Sequence, residues 1–328
     1  PSGVRGCHRR RRAVSVLAFR EGRPADLRAT FELGEAAWDL SRKQRGLLRE
    51  DHHREELDLS ERWERERPLL EFIAAQPDGC YVICEDGDEL VGYARVARFG
   101  AMDELTELWV APSHAGRGVG RALLERCWPE SPTRELGRVV LGLGTPADLS
   151  LYTEFGVMPV SGHWHLRHRA DRYMERRSLE LDAAEPAVHA LTPERAVAEW
   201  KRLEPPAIGH ERPRLHEFFG RTRMCLAMVD GGRAEAVALC WVSSDGEIGP
   251  AVGEEAKHLV PVVLAALDRV AKQREPETFG VFCTTDSWWL LDRLRRLGFQ
   301  VYWPSWVMCS VPLPGLDRYL PTRPPRLL

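Results

Sequence analysis

Apolar positions along this chain follow two rhythms. In residues 14–19, 80–84, 89–96 and 105–110 they crowd into short runs rich in β-branched and aromatic side chains, which predict strands. In residues 24–40 they recur at helical spacing through Leu27, Phe31, Ala36, Ala37 and Leu40. A second helix is predicted from Ser60 through Trp63, Leu70 and Phe72, stopped at Pro77, Asp78 and Gly79. Glu85, Asp86, Gly87 and Asp88 join two strands as a hairpin turn. Pro112 and Ser113 end the run at 105–110, since proline cannot donate to a ladder. Gly116, Gly118 and Gly120 follow, and Ala122, Leu123, Leu124 and Cys127 resume the helical period until Pro129 and Pro132. Residues 138–143 then read as a strand and 146–155 as a short helix.

The order of elements then repeats. Residues 182–186 turn small and acidic, residues 187–191 resemble another first strand, and Thr192, Pro193 and Glu194 open a helix. Strands at 224–229 and 235–242 flank the turn at Asp230, Gly231 and Gly232. A helix at 260–270, a strand at 279–283 and a helix at 287–297 complete the copy, and LRRLGFQVYW mirrors LYTEFGVMPV of the first half. A period of half the chain means tandem domains rather than a solenoid. The expected layout is a basic tail at 1–13, domains at 14–183 and 184–314, and a proline-rich tail at 315–328 packed on the surface or mobile.

Composition narrows the function. A chain of 328 residues has room for two domains of about 160. Net charge is only −3, so nucleic acid and acidic membrane surfaces are not the expected partners. No apolar run reaches the roughly 18 residues of a membrane span. His8 and Arg9 to Arg12 ahead of the short apolar run at 13–19 imitate a leader, but the run stops at Arg20 and no small-residue cleavage site follows. The eight cysteines form no CxxC pair and no dense framework, which points to reduced core thiols and a cytoplasmic protein.

The glycine-rich turn carries the chemistry. Glycine permits positive φ and close approach of a ligand to the backbone. The first N–H groups of a helix lack internal partners and sit at the positive end of its dipole, so the turn is a cradle for pyrophosphate. A P-loop would need Gly-Lys-Ser/Thr, which is absent, and the dinucleotide fingerprint has another glycine spacing. The pattern Arg/Gln-x-x-Gly-x-Gly/Ala after a strand ending in Val-x-Pro does fit at Val110, Pro112, Gly116, Gly118, Gly120, Ala122 and Leu123. It resembles the acetyl-CoA loop of the GNAT acetyltransferases, with Ala115 at the leading Arg/Gln position. Val91, Gly92, Tyr93 and Ala94 resemble that family's third strand, and LYTEFGVMPV its LY-x-x-x-GF signature with Val157 in place of the aromatic.

The resemblance implies an α/β (α+β) fold of tandem GNAT units, each a mixed, mostly antiparallel twisted sheet flanked by helices. It implies acetyl-CoA as cosubstrate and transfer to a primary amine, of a small molecule or of a protein, by direct attack; a non-catalytic acyl-CoA sensor or scaffold is the other reading. A monomer or homodimer is expected, with a small-molecule amine as partner. Gly116, Arg117, Gly118, Val119, Gly120 and Arg121, with Ala115, would hold the pyrophosphate, and Leu108, Trp109 and Val110 the pantetheine and thioester. Tyr152 falls on the tyrosine that often acts as general acid in the family, and it could equally be a packing residue. Glu104 and Glu107 are both candidates for the base; their odd spacing would turn them to opposite faces of a regular strand.

His163, His165 and His168 lack an acid or cysteine companion for a metal and read as a half-exposed strand, and His52–His53 as surface histidines. The second copy has Glu254 and Glu255 where a pyrophosphate would sit and Trp288 or Leu291 near the tyrosine position, so it reads as a structural or acceptor-site module.

Overall fold

The protein is described by a computed structural model covering residues 17–44, 58–179, 186–229 and 231–328. The basic tail, His52–His53, residues 182–185 and Asp230 lie outside the described residues. In the N-terminal half, β1 (Leu17–Glu21), α1 (Leu27–Gln44) and α2 (Leu59–Ala74) precede β2 (Cys80–Asp86), β3 (Glu89–Phe99) and β4 (Met102–Val110). Then come α3 (Val119–Cys127), β5 (Gly137–Gly142), α4 (Pro146–Glu154), β6 (Met158–Arg169) and α5 (Ala170–Ser178). The C-terminal half opens with β7 (Val188–Leu191), α6 (Pro193–Leu203), α7 (Pro205–Ile208) and α8 (Pro213–Thr222). It continues with β8 (Arg223–Val229), β9 (Ala236–Ser243), β10 (Ile248–Gly253) and α9 (Ala256–Arg274). It ends with β11 (Thr278–Thr284), α10 (Trp288–Arg296), β12 (Gln300–Cys309) and β13 (Tyr319–Leu320).

Local chemistry sets many of these boundaries. Thr145 caps α4 by accepting the Asp148 N–H while the Asp148 carboxylate takes the Thr145 N–H, with Pro146 at the first helical position. Thr192 caps α6 by accepting the Arg195 N–H, with Pro193 at the first helical position. Gly87 turns the β2–β3 hairpin at φ +63°.

One sheet runs β1-β2-β3-β4-β5-β12-β6-β11 and the other β13-β10-β9-β8-β7. Among the described residues only β4 and β5 pair in parallel; the other pairs are antiparallel. This is the mixed, mostly antiparallel architecture expected. The sheet does not stop at the middle of the chain. β6, which follows Gly156, lies between β12 and β11, and β12, which follows Gly298, lies between β5 and β6. The two matching segments have exchanged strands, so each half closes the other.

The seam is also ionic. Buried Arg212 donates to Glu104 at 3.1 Å, to Glu204, to the Tyr319 hydroxyl and to the Leu328 main-chain oxygen. His210 reaches Glu104 at 3.1 Å and His216 reaches Glu204 at 2.6 Å. Burial alone would raise the Glu104 carboxyl, but Arg212 and His210 outweigh it and hold the group below its usual range.

The proline-rich segment is not a surface tail. Tyr319 and Leu320 pair with Val252 and Ala251, and Leu327 and Leu328 are buried among α6, α8 and β9. Its apolar residues have core positions, and its arginines find Glu247, Glu66 and Glu107. The seven described cysteines are free thiols. Among the described residues no helix is long and apolar enough to cross a membrane.

Candidate active site

The site begins where two strands part. β4 pairs with β5 only from Met102↔Gly137 to Leu105↔Val140, yet β4 continues to Val110 and β5 to Gly142. Leu108, Trp109 and Val110 keep their pairing with β3 on one side and border a cavity on the other. The register between β3 and β4 also shifts, because Arg95 opposes Glu107 while Val96 opposes Leu105, leaving Thr106 as an extra residue. A bulge reverses parity. Glu104 and Glu107 therefore share a face, both against the C-terminal segment, while Leu105 and Leu108 pack toward α3. The expected opposition of the two carboxylates is corrected by this bulge.

The turn after β4 has the geometry of an anion cradle. Gly116 and Gly118 adopt φ +72° and +83°, and a Cβ on either would meet no atom within 4 Å, so the backbone faces open space. The first bond closed by α3 is Ala122 N–H to the Gly118 oxygen at 3.0 Å. The N–H groups of Val119, Gly120 and Arg121 thus precede the helical ladder and point outward. Gly92 lets α3 lie on the sheet: a Cβ there would stand 3.0 Å from Val119 Cγ1 and 3.2 Å from the Trp109 oxygen.

His114, which the sequence pattern did not single out, ties the turn to the β2–β3 hairpin through Asp86 at 3.0 Å and takes Ser113 Oγ at 2.9 Å. Ala115, Gly116, Gly118, Val119, Gly120 and Arg121 line the cavity, whereas Arg117 is exposed outside that lining. Arg121 pairs with Glu154 at 2.5 Å. No acidic side chain occupies the turn itself, so its residues fit a pyrophosphate.

Tyr152 stands on α4 facing the opening. It is buried and lines the cavity, and its ring lies 3.5 Å from where a Cβ on Gly142 would sit. Burial, with a smaller push from Asp148, raises its phenol above the usual range, so the hydroxyl stays protonated at neutral pH. Among the described residues it has no side-chain hydrogen-bond partner.

Neither carboxylate is free. Glu107 lines the cavity but accepts from Arg95, Arg326 and the Tyr93 hydroxyl, the last at 3.1 Å. Glu104 is committed to the interior seam and is not part of the cavity wall.

His163 and His165 do reach the cavity. β6 pairs with β12 and β11 along both edges and is part-exposed along its length; on it His163 is buried, 1% exposed, while His165 and His168 are half-buried. The His163 ring stacks on Phe282 at 4.8 Å and its Nδ1 meets Ser305 Oγ at 3.1 Å. Burial pushes its imidazole down to about 3, and burial with Arg323 and Arg167 pushes His165 well down. Both are neutral at physiological pH. Among the described residues no group of three or more His, Cys, Asp or Glu is placed to hold a metal ion.

The cavity measures about 1250 Å³ and takes walls from both halves: α1, α2, β4, α3 and α4 from the first, and β11, β12 and residues 243–247 and 323–326 from the second. The corresponding turn of the C-terminal half differs. α9 starts directly behind Glu254 and Glu255, and Glu254 is held by Arg202 and Arg233. Counting back from the left-handed glycines Gly156 and Gly298, the counterpart of Tyr152 is Leu294. That corrects the expectation of Trp288 or Leu291: Trp288 is 67% exposed at the start of α10, whereas Leu294 is buried one turn before the glycine.

Comparison with known proteins agrees with this geometry. Residues 40–157 match the sequence profile of the acetyltransferase (GNAT) family, whose members use acetyl-CoA. Across nearly its whole length the chain has a tandem GNAT fold. A putative acetyltransferase from Pyrococcus horikoshii superposes with a TM-score of 0.65 at 15% identity, over 95% of this chain and 97% of that one. A tandem GNAT protein from the clavulanic acid biosynthesis pathway gives 0.58 at 16%, over 90% and 99%. A GCN5-related N-acetyltransferase from Sphaerobacter thermophilus gives 0.54 at 17%, over 92% and 98%. No curated protein sequence matches the chain.

Proposed function

We propose that the protein is an acetyl-CoA-dependent N-acetyltransferase acting on a primary amine of a small molecule. The observation that carries this is a single continuous path. The open cradle at Gly116–Arg121 leads to the parting of β4 and β5, which leads to the unpartnered Tyr152 hydroxyl and the cavity between the halves. Main-chain N–H groups of the turn hold the pyrophosphate, and the free edge of β4 at Leu108–Val110 grips the pantetheine arm and polarises the thioester carbonyl.

The amine enters as its free base and its lone pair attacks the carbonyl carbon. The tetrahedral adduct collapses with cleavage of the C–S bond, Tyr152 gives its proton to the departing thiolate, and the surplus proton on the nitrogen passes through solvent to the phenolate and restores the phenol. Glu104 and Glu107 are not assigned the role of base, because their oxygens are already committed. The walls contributed by the C-terminal half favour a small acceptor over a folded protein surface.

The test is acetyl transfer from acetyl-CoA to a library of small amines, followed by thiol release, with wild type and Tyr152→Phe. The expected result is turnover that falls about 10²–10⁴-fold in the variant, with acetyl-CoA affinity kept within about threefold. Tight acetyl-CoA binding with no turnover on any amine would favour a sensor instead.

A further inference from the structure

At the end of the cavity away from the glycine turn, the side chains select a chemistry for the acceptor. An aromatic wall runs from the free end of β4 across to β12: Trp109 meets Trp38 edge-on at 6.3 Å, and Trp38 meets Trp303 at 4.5 Å. Beyond it Tyr302 is a hub. Arg42 Nη2 donates to its hydroxyl at 3.1 Å, and the Arg167 guanidinium lies over its ring at 4.7 Å. The edge of His165 closes the other side at 5.5 Å. All of these side chains line the cavity.

Their charge balance differs from that of most of the cavity's arginines, although Arg223 and Arg274 also lack an ion pair among the described residues. Arg62, Arg65 and Arg326 each face a carboxylate of the cavity wall, in Glu35, Asp245, and Glu66 with Glu107. Arg323 is paired with Glu247 at 2.6 Å. Arg167 instead donates to the neutral Thr278 hydroxyl at 2.5 Å and has no ion pair among the described residues. Arg42 is 5% exposed, and its ion-pair partner among the described residues, at 3.5 Å, is Asp39, whose side chain is 45% exposed on the same helix. Burial, and then the nearby Arg323 and Arg42 cations, hold the Arg167 guanidinium below its usual range. Half-neutralised cations in a closed site are costly unless an anion completes them.

Resting on the acetyltransferase reading above, we propose that the acceptor amine also carries an anionic group, a carboxylate or phosphate, bound by Arg42, Arg167 and Tyr302 across an apolar body that lies along Trp38 and Trp303. Two guanidiniums and a phenol provide forked donors for such an oxyanion.

Two matched pairs test this: benzylamine against 4-(aminomethyl)benzoate, and hexylamine against 6-aminohexanoate, with 4-(aminomethyl)phenyl phosphate to separate phosphate from carboxylate. In the intact protein the anionic member of at least one pair is expected to win by about tenfold or more in kcat/KM, chiefly through KM. Arg167→Met brings that ratio close to one, and Arg42→Met does the same should the first variant fold poorly. Equal kcat/KM within both pairs, or a preference that survives both variants, overturns the proposal and leaves acetyl transfer standing. If no amine is acetylated, the parent reading falls. Calorimetric binding of 4-(aminomethyl)benzoate then decides the subsite: loss in Arg167→Met supports it, and no binding, or binding indifferent to both variants, overturns it.

Discussion

The same strand–turn–helix segment occurs twice in this chain and ends differently each time. After β4 the backbone passes through left-handed Gly116 and Gly118 into α3 and leaves its first N–H groups uncovered. After β10 it passes Glu254 and Glu255 into α9, and those acids stand where phosphates would, with Glu254 neutralised by Arg202 and Arg233. The contrast extends to the later helix: Tyr152 faces the cavity, whereas its counterpart Leu294 is packed in the core with Leu264 and Phe299. The second half is tied to the first by shared architecture. It lends β12 to the first half, takes β6 in return and supplies walls to the cavity.

The largest effect that would break this division is at the seam. Arg212→Leu leaves Glu104 and Glu204 buried without their shared cation and is expected to destabilise the protein by about 3–5 kcal/mol, read as a lowered midpoint in denaturant unfolding. A loss under 1 kcal/mol would mean the halves are held by apolar contact alone. Next is a pH effect at the exchanged strand. The His163 imidazole is depressed to about 3 in the fold, so between pH 3 and 6.5 the unfolded chain binds a proton that the native state refuses. Its contribution is fully present above about pH 6.5 and is lost on acidification, by about 2 kcal/mol at pH 5. His163→Gln should flatten the stability profile over that window, and an unchanged slope would refute the assignment. The smallest effect sharpens the comparison: removing the acids with Glu254→Gln and Glu255→Gln should add no second acetyl-CoA site, because the glycine turn is still missing.

Much of this was readable from residue order. Alternating and helical periods gave the elements, the glycines at 116, 118 and 120 marked the cradle, and the likeness of LYTEFGVMPV to LRRLGFQVYW exposed the repeat. The rest depends on non-local pairing. No local signal says that β12 leaves its own half, since its apolar run would suit either sheet. Thr106 has no composition that marks a bulge, yet that one residue turned Glu104 and Glu107 onto one face. The terminal segment reads as a solvated tail because the partners of Arg326, Glu66 and Glu107, are more than 200 positions away. Arg42 and Tyr302 meet only through the same folding-back.

The central claim is that one half of this chain, and not the other, holds acetyl-CoA at its glycine turn. Calorimetric titration of acetyl-CoA into the intact protein and into Gly118→Asp tests it most directly, since the substitution places a carboxylate in the cradle at a φ of +83°. One site per chain, weakened at least 100-fold in the variant, is the predicted result. Two sites, or a single site that Gly118→Asp leaves intact, would contradict it.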